Sequence, residues 1–346
     1  MTHSNRSHWL GNAALGIGIY FGCRQIVRRL RRFDLRNRLV LITGGSRGLG
    51  LLLARQYLAA GARVAICARD QEELDRAQEQ LAAGGTGYRE GNVWTGVCDI
   101  TDRESVRDCV GRLTAAGGPV DVLVNNAGII GVGPVETMTL DDYRHAMEVN
   151  FWGAVHMTHE VVGGMRRRGG GRIVNICSIG GKIAVPHLLP YSASKFAMAG
   201  WSTGLRTELK KDNIFVSTIF PGLMRTGSPR NVEVKGQHRK EYAWFAIGDS
   251  SPLTSMNADR AARRIVQACV NGEAEVVLSW QAKLATTLAA LAPAAVSELS
   301  SAANWLMPRA GGIGTDSRRG YESESFLAPS MLTAPSDRAA VENNEM

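Results

Sequence analysis

The chain has 346 residues, 45% hydrophobic and 21% charged, which allows one large buried core and excludes a fibrous or wholly disordered protein. Residues 1–38 hold eight arginines and one acid, net +7 of the chain's +8, so the rest is nearly neutral and a protein-wide nucleic-acid footprint is excluded. Six cysteines (Cys23, Cys67, Cys98, Cys109, Cys177, Cys269) form no CxxC pair and "HMTHE" at 156–160 lacks metalloprotease spacing, so reduced structural thiols and no metal site are expected.

The apolar stretch "WLGNAALGIGIYFG", residues 9–22, is followed at once by "CRQIVRRLRR". Fourteen residues are short of the roughly 20 that span a bilayer as a helix. Ile26, Val27, Leu30 and Phe33 continue an apolar stripe between the arginines. Residues 1–34 are therefore read as an extension that meets a membrane surface through residues 9–33, with its basic flank keeping the body on the cytoplasmic face. An extra helix packed on the body is the alternative.

From residue 39 to 278 short β-branched runs alternate with longer helix-like stretches; "LVLIT", "RVAICA", "VDVLVNNAG", "RIVNICS", "FVSTIF" and "AEVVLS" are the clearest strands. The alternation predicts an α/β fold, a doubly wound parallel sheet of the Rossmann type, in a single domain over 35–278 with extensions at both ends. The first strand runs into glycines at 44, 45, 48 and 50 and then an amphipathic helix. Glycines let backbone approach a pyrophosphate, and the helix start offers free N–H groups and a positive dipole end, so this turn is expected to bind a dinucleotide.

The second strand ends in Ala68 and Arg69 where an acid would hold both ribose hydroxyls, and Arg47 adds a cation from the glycine turn. Two guanidiniums suit a 2′-phosphate, so NADP (NADPH) is expected over NAD, although Asp70 could partly neutralise Arg69.

"YSASK" puts Tyr191 and Lys195 one helical turn apart. A free tyrosine titrates near pH ~10, too high for an efficient base at neutral pH, and a lysine in contact is expected to lower it by about 1 to 3 units.

TGxxxGxG at Thr43, Gly44, Ser46, Arg47, Gly48, Leu49 and Gly50 resembles the classical short-chain dehydrogenase/reductase family. Its other signatures follow in order: "CDI" with Asp99, "NNAG" ending in Asn126, Ala127 and Gly128, Asn150 in "EVNFWG", Ser178 in "NICSIGG", "YSASK", and "PGLMRT" from Pro221 and Gly222 to Thr226. The resemblance covers 39 to about 278 and implies that Asp99 meets the adenine, "NNAG" borders the cofactor and Thr226 approaches the nicotinamide. It further implies a catalytic tetrad. Tyr191 is the acid/base, Lys195 also holds ribose hydroxyls, Ser178 bonds the substrate oxygen, and Asn150 supports a water relay. Family members often pair subunits through the helices that carry Asn150 and Tyr191, so a homo-oligomer is expected.

Between Pro221 and Met256, "GQHRKEYAWFAIG" places Trp244, Phe245 and Ile247 where the family has a mobile lid. These side chains suit a lipophilic alcohol or ketone, or else pack the lid to the body. Residues 279–310 read as two short Ala/Leu helices broken at Pro293, and 311–346, rich in Gly, Ser, Pro and charge, as a tail that is disordered or laid over the surface. The function expected is NADP-dependent interconversion of an alcohol and a carbonyl on a lipophilic small molecule, without nucleic acid. A non-catalytic NADP-sensing or scaffold protein at the membrane is the alternative, and it should lack a member of the tetrad.

Overall fold

In a computed structural model of the chain, the structure describes Gly22, residues 25–26, 28–84, 87–251, 254–331 and 333–346. Seven parallel strands form one sheet: β1 (Leu39–Thr43), β2 (Arg63–Ala68), β3 (Val93–Val97), β4 (Val120–Asn125), β5 (Gly171–Ile176), β6 (Ile214–Phe220) and β7 (Glu275–Val277). Their order in space is β7-β6-β5-β4-β1-β2-β3, so the chain reverses direction across the sheet between β1 and β4. In open α/β sheets the ligand crevice lies at that reversal, outside the carboxyl ends of the strands.

Period-two side-chain alternation divides the apolar strand residues between two buried layers. Val40, Ile42, Val122 and Val124 face one layer, which α1 (Gly48–Ala59) and α8 (Ala258–Asn271) complete with Leu51, Leu58, Ala261 and Ile265. Leu39, Leu41 and Leu123 face the other, which α3 (Arg103–Gly117) and α5 (Gly153–Arg167) complete with Val106, Leu113, Met157 and Met165. Asp70 caps α2 (Gln71–Ala83), Asp102 caps α3, and Thr139 with Asp142 forms a capping box on α4 (Leu140–Met147). Helix α6 (Leu189–Leu209) carries "YSASK", and α7 (His238–Ser250) lies in the segment expected as the lid. Strand β3, "VWTGV", is less apolar than the other strands and was not among the clearest sequence signals.

Both extensions are tied to the body. The last turn of the N-terminal extension docks on it, as in the alternative of a helix packed on the body. Phe33 N–H donates to Val270 O (2.9 Å), Arg28 pairs with Glu273 (3.1 Å), and Leu35 lies in the core. The Arg172 guanidinium lies between the rings of Phe33 and Phe215, 4.6 and 4.5 Å from their centroids, and donates to Arg31 O (2.7 Å). A boundary at residue 34 therefore cuts through a contact. The apolar stretch 9–22, apart from Gly22, lies outside the described residues. Among the described residues no helix is long and apolar enough to cross a membrane.

The stretch 311–346, expected as disordered or laid over the surface, is laid over the body and is ordered there. Arg318–Arg319 adds a strand to Glu233–Val234, and Gly320 packs so closely that a Cβ there would stand 2.0 Å from Pro229 O. A last helix, α11 (Ala334–Glu342), follows α9 (Trp280–Leu291) and α10 (Pro293–Asn304), the two Ala/Leu helices, which do break at Pro293. Composition left that choice open because what orders this stretch is long-range: hydrogen bonds and burial of Ser336, Ala340, Asn343, Asn344 and Glu345 against distant elements.

Candidate active site

The glycine turn lies at the mouth of the β1/β4 crevice, and Thr43 joins its two sides. Its buried hydroxyl accepts N–H bonds from Asn126 and Ala127 (both 3.0 Å), while the Asn126 side chain donates to Thr43 O and Gly44 O (both 3.0 Å). Gly44 (φ +60°) and Gly48 (φ +55°) adopt left-handed backbone. A Cβ at Gly50 would lie 2.0 Å from Gly44 O, and one at Gly44 2.9 Å from Ala127 Cα. Leu49 is buried in the core beneath. Helix α1 has no side-chain cap and no acid in its first turn, so its first N–H groups are left for a partner from outside the helix. These features fit the pyrophosphate of a dinucleotide.

At the adenosine end, Arg47 donates to Glu73 (2.8 Å) and Asn231 (3.2 Å), and Ser46 Oγ donates to Glu73 (2.9 Å). Arg69 is exposed. The Asp70 carboxylate accepts the Glu73 N–H (2.9 Å) as the cap of α2, so it faces the helix start. Burial raises the Asp99 carboxyl, but hydrogen bonds from Thr101 and the charge of Arg69 hold it below its ordinary value. Pro221 O accepts from Ile179 N–H (2.7 Å), Gly222 lies beside Ser279, and Thr226 Oγ1 shares a 2.6 Å hydrogen bond with Ser228.

The four expected catalytic side chains converge. Asn150 sits in a π-helical turn, Glu148–Trp152, of the kind that often marks functional sites. Its amide accepts from Ile129 N–H (2.9 Å) and donates to Ile129 O (3.1 Å) and Ser194 Oγ (2.9 Å), and Ser194 donates to Tyr191 O (2.7 Å). A Cβ at Gly128 would be 2.8 Å from Asn150 Oδ1 and 3.4 Å from Lys195 Nζ. Ser178 Oγ accepts from Gly180 N–H (3.0 Å), and a Cβ at Gly180 would stand 3.4 Å from Ser178 Oγ and 3.2 Å from Tyr191 Cε1, so the two side chains border the same point.

Lys195 does not act on Tyr191 as expected. Its buried ammonium donates to Ile176 O (3.1 Å) and stands 5.7 Å from the centre of the Tyr191 ring. Burial pushes the Tyr191 phenol up to about 12, and the nearby Ser178 hydroxyl only partly opposes it. Burial also lowers Lys195. Desolvation outweighs the expected charge effect, so burial holds the phenol in its protonated form at neutral pH.

Several residues near the site gave no clear sequence signal. Glu73, Asn231 and Ser194 belong to it only through the fold. His187 (φ +61°), four residues before Tyr191, meets the fully buried Glu241 at 2.9 Å, and Trp244 Nε1 donates to the same carboxylate (2.7 Å). Phe245 is buried with Val132, Leu188 and Val234, so it packs the lid to the body, whereas Trp244 is only partly buried. Glu241→Ala is expected to destabilise the fold by about 3 kcal/mol, because it strips the partner from buried polar groups. A lower urea midpoint at unchanged slope would show it, with Glu241→Gln less affected. Cys67, Cys98 and Cys109, far apart in sequence, gather with their sulfurs within 4.8 Å in the buried layer under α3.

The chain matches the short chain dehydrogenase family over residues 38–235. It is 33% identical over 295 residues to the dehydrogenase/reductase SDR family protein 7-like of Drosophila melanogaster, covering 84% of this chain and 89% of the relative. A crystal structure of an actinorhodin polyketide ketoreductase variant with NADPH is 30% identical, with a TM-score of 0.61 over 70% of this chain and 95% of its own. L-sorbose reductase from Gluconobacter frateurii, complexed with NADPH and L-sorbose, is 25% identical, with a TM-score of 0.61 over 71% and 96%. With its seven-stranded doubly wound sheet, the chain belongs to the classical short-chain dehydrogenase/reductase family, NAD(P)-dependent oxidoreductases of CH–OH and C=O groups.

Proposed function

We propose that this oxidoreductase uses NADP to interconvert an alcohol and a carbonyl on a lipophilic small molecule, with Tyr191 as the proton donor and acceptor. The observation that carries the reading is that Ser178 Oγ and the Tyr191 ring meet at Gly180, with Lys195 buried beside the ring. Residues Thr43 to Gly50 would hold the pyrophosphate, Arg47 and Arg69 the 2′-phosphate, Asp99 the adenine, Asn126 to Gly128 the adjoining wall, Lys195 the ribose, and Pro221 to Thr226 the nicotinamide end. Bound there, the nicotinamide supplies or takes up the hydride. The two solved relatives carrying NADPH support NADP as the partner.

Ser178 would fix the carbonyl oxygen beside the phenol, and the protonated Tyr191 would neutralise the charge that develops on it. Tyr191 packs with Ile130, Val185 and Trp244 against an apolar cluster, which favours a lipophilic substrate body. A panel of ketones, aldehydes and alcohols, followed by NADPH absorbance, tests this. Cofactor binding without turnover on any of them would favour the non-catalytic reading. Trp152 and Phe196, exposed beside Asn150 and Tyr191, support pairing of subunits through these helices.

The membrane reading is part of the same proposal. Arg28, Arg29 and Arg32 line one concave surface together with Arg260, Arg263 and Arg264 of α8, which extends the basic flank onto the body. Deleting residues 1–27 should release the protein from anionic vesicles in a flotation assay while NADPH binding persists. Each arginine near an anionic surface contributes about 1 kcal/mol, so neutral vesicles should bind the full chain less well. Deleting 1–34 should in addition destabilise the body, because Phe33 and Arg31 are lost from Arg172. A 1–27 deletion that still floats would place the membrane contact elsewhere.

A further inference from the structure

The segment after α10 ends inside the groove where the dinucleotide is expected. Helix α11 docks on the lid: Ser336 Oγ donates to the buried Asp249 (3.1 Å), and Ser250 Oγ donates to Thr333 O (3.3 Å). It then presses on Gly227, where a Cβ would stand 2.4 Å from Ala340 Cα. Beyond the helix the chain crosses the groove from the nicotinamide end to the adenosine end. Asn343 Nδ2 donates to Thr226 O (3.3 Å), and Asn343 O accepts the Gly48 N–H (2.8 Å). Asn344 Nδ2 donates to Ser46 O (2.9 Å) and Glu73 O (3.0 Å), while Arg76 donates to Asn344 Oδ1 (3.1 Å).

The buried carboxylate of Glu345 accepts from Asn231 Nδ2 (2.9 Å) and Ser228 Oγ (3.3 Å), and one of its oxygens lies 2.4 Å from where a Cβ on Gly48 would be. An uncapped helix start attracts an anion, and here Asn343 O takes its Gly48 N–H while the Glu345 carboxyl fills the space beside Gly48. The same Gly48 N–H and the same space cannot serve a pyrophosphate and this segment together.

We propose that residues 334–345 are a built-in competitor of the dinucleotide: docked, they close the groove over the glycine turn, and undocked, they open it. This rests on the reading that Thr43 to Gly50 hold the cofactor. The apparent affinity of the full chain is then its intrinsic affinity reduced by the fraction of molecules that are open. Contacts of this kind can hold nine molecules in ten closed, so releasing them should tighten cofactor binding about tenfold.

The closed state is also pH-sensitive. Burial pushes Glu345 up to about 7 against the opposing charge of Arg47, with Glu73 adding to the rise, and Asp249, also about 7, faces the same region. A carboxyl whose pKa is raised on docking favours the docked state below its free value, and that advantage is lost as pH rises through about 7. Release therefore becomes easier on the alkaline side.

The test titrates NADPH into the full chain and into the double variant Asn344→Ala, Glu345→Ala, with hydrogen exchange of residues 334–345 in the full chain with and without NADPH. The expected result is about tenfold tighter binding by the variant and faster exchange at 334–345 when NADPH is added. A Glu345→Gln chain should also lose part of the improvement in NADPH affinity that the full chain shows between about pH 6 and pH 8. Equal affinities with unchanged exchange would overturn the proposal. Weaker binding by the variant, with exchange slowed by NADPH, would overturn it too, because the segment would then be clasping the bound cofactor. If no form binds NADPH or NADH, the dinucleotide reading itself falls, and this inference with it. The exchange measurement needs no variant, so misfolding of the double variant leaves the proposal open to refutation.

Discussion

Tyr191→Phe is expected to lower turnover by roughly 10²- to 10⁴-fold, the usual contribution of a positioned proton donor, while changing the NADPH Kd only slightly. The Tyr191 ring and Ser178 Oγ border the same point at Gly180, so the phenol is offered to a carbonyl oxygen bound by Ser178. Removing one oxygen leaves the ring and its packing against the apolar cluster around Val132 and Leu188 unchanged. Burial keeps the phenol protonated up to about 12, so carbonyl reduction should show no loss of this donor between about pH 6 and pH 9. Alcohol oxidation, which needs the phenolate, should speed up as pH rises. Steady-state rates in both directions, with NADPH fluorescence for binding, separate these effects. A variant that turns over normally would remove Tyr191 from the mechanism.

Neutralising Arg47 and Arg69 together is expected to shift the ratio of NADP to NAD affinity by about 100-fold, since a charge-assisted hydrogen bond contributes about 1.5 to 3 kcal/mol and each such bond is worth tenfold or more. The two should not share equally. Arg47 already pairs with Glu73 at 2.8 Å, so part of its charge is engaged, whereas Arg69 is exposed and Asp70 faces the start of α2. Arg69→Ala should therefore shift the ratio more than Arg47→Ala, and Glu73→Gln should move it towards NADP. Calorimetric titration of both cofactors against each variant measures the shifts. Parallel losses for NADP and NAD would refute the phosphate role of the pair.

What could be read without the fold was the part of the protein whose chemistry is local. A strand, a glycine turn and a helix are consecutive in sequence, so the glycine turn at Thr43 to Gly50 was legible between its strand and its helix, as was the one-turn spacing of Tyr191 and Lys195. The direction of the Tyr191 shift was not. It depends on how deeply the ring is buried, which the neighbours of α6 determine and its own residues do not. Glu73 and Asn231 are likewise ordinary polar residues until folding brings them to Arg47. Whether the stretch 311–346 was disordered or laid over the surface was illegible for the same reason: its Gly, Ser and Pro content describes weak local preference, while Asn343, Asn344 and Glu345 find their partners as far back as Ser46. The thiols of Cys67, Cys98 and Cys109 show the converse, a cluster without a sequence motif.

The Arg172 clamp sets the reach of the N-terminal extension. Only six chain steps separate Gly22, the end of the apolar stretch, from Arg28, and these span about 20 Å at full extension. From Arg28 onward the chain is held to the body by Glu273, Phe33 and Arg172. Bedded in a bilayer, such an extension is a short tether and not a long leash. It would hold the catalytic body at a fixed stand-off, with the arginines of α8 turned to the lipid, so that a substrate dissolved in the membrane meets the enzyme in one orientation.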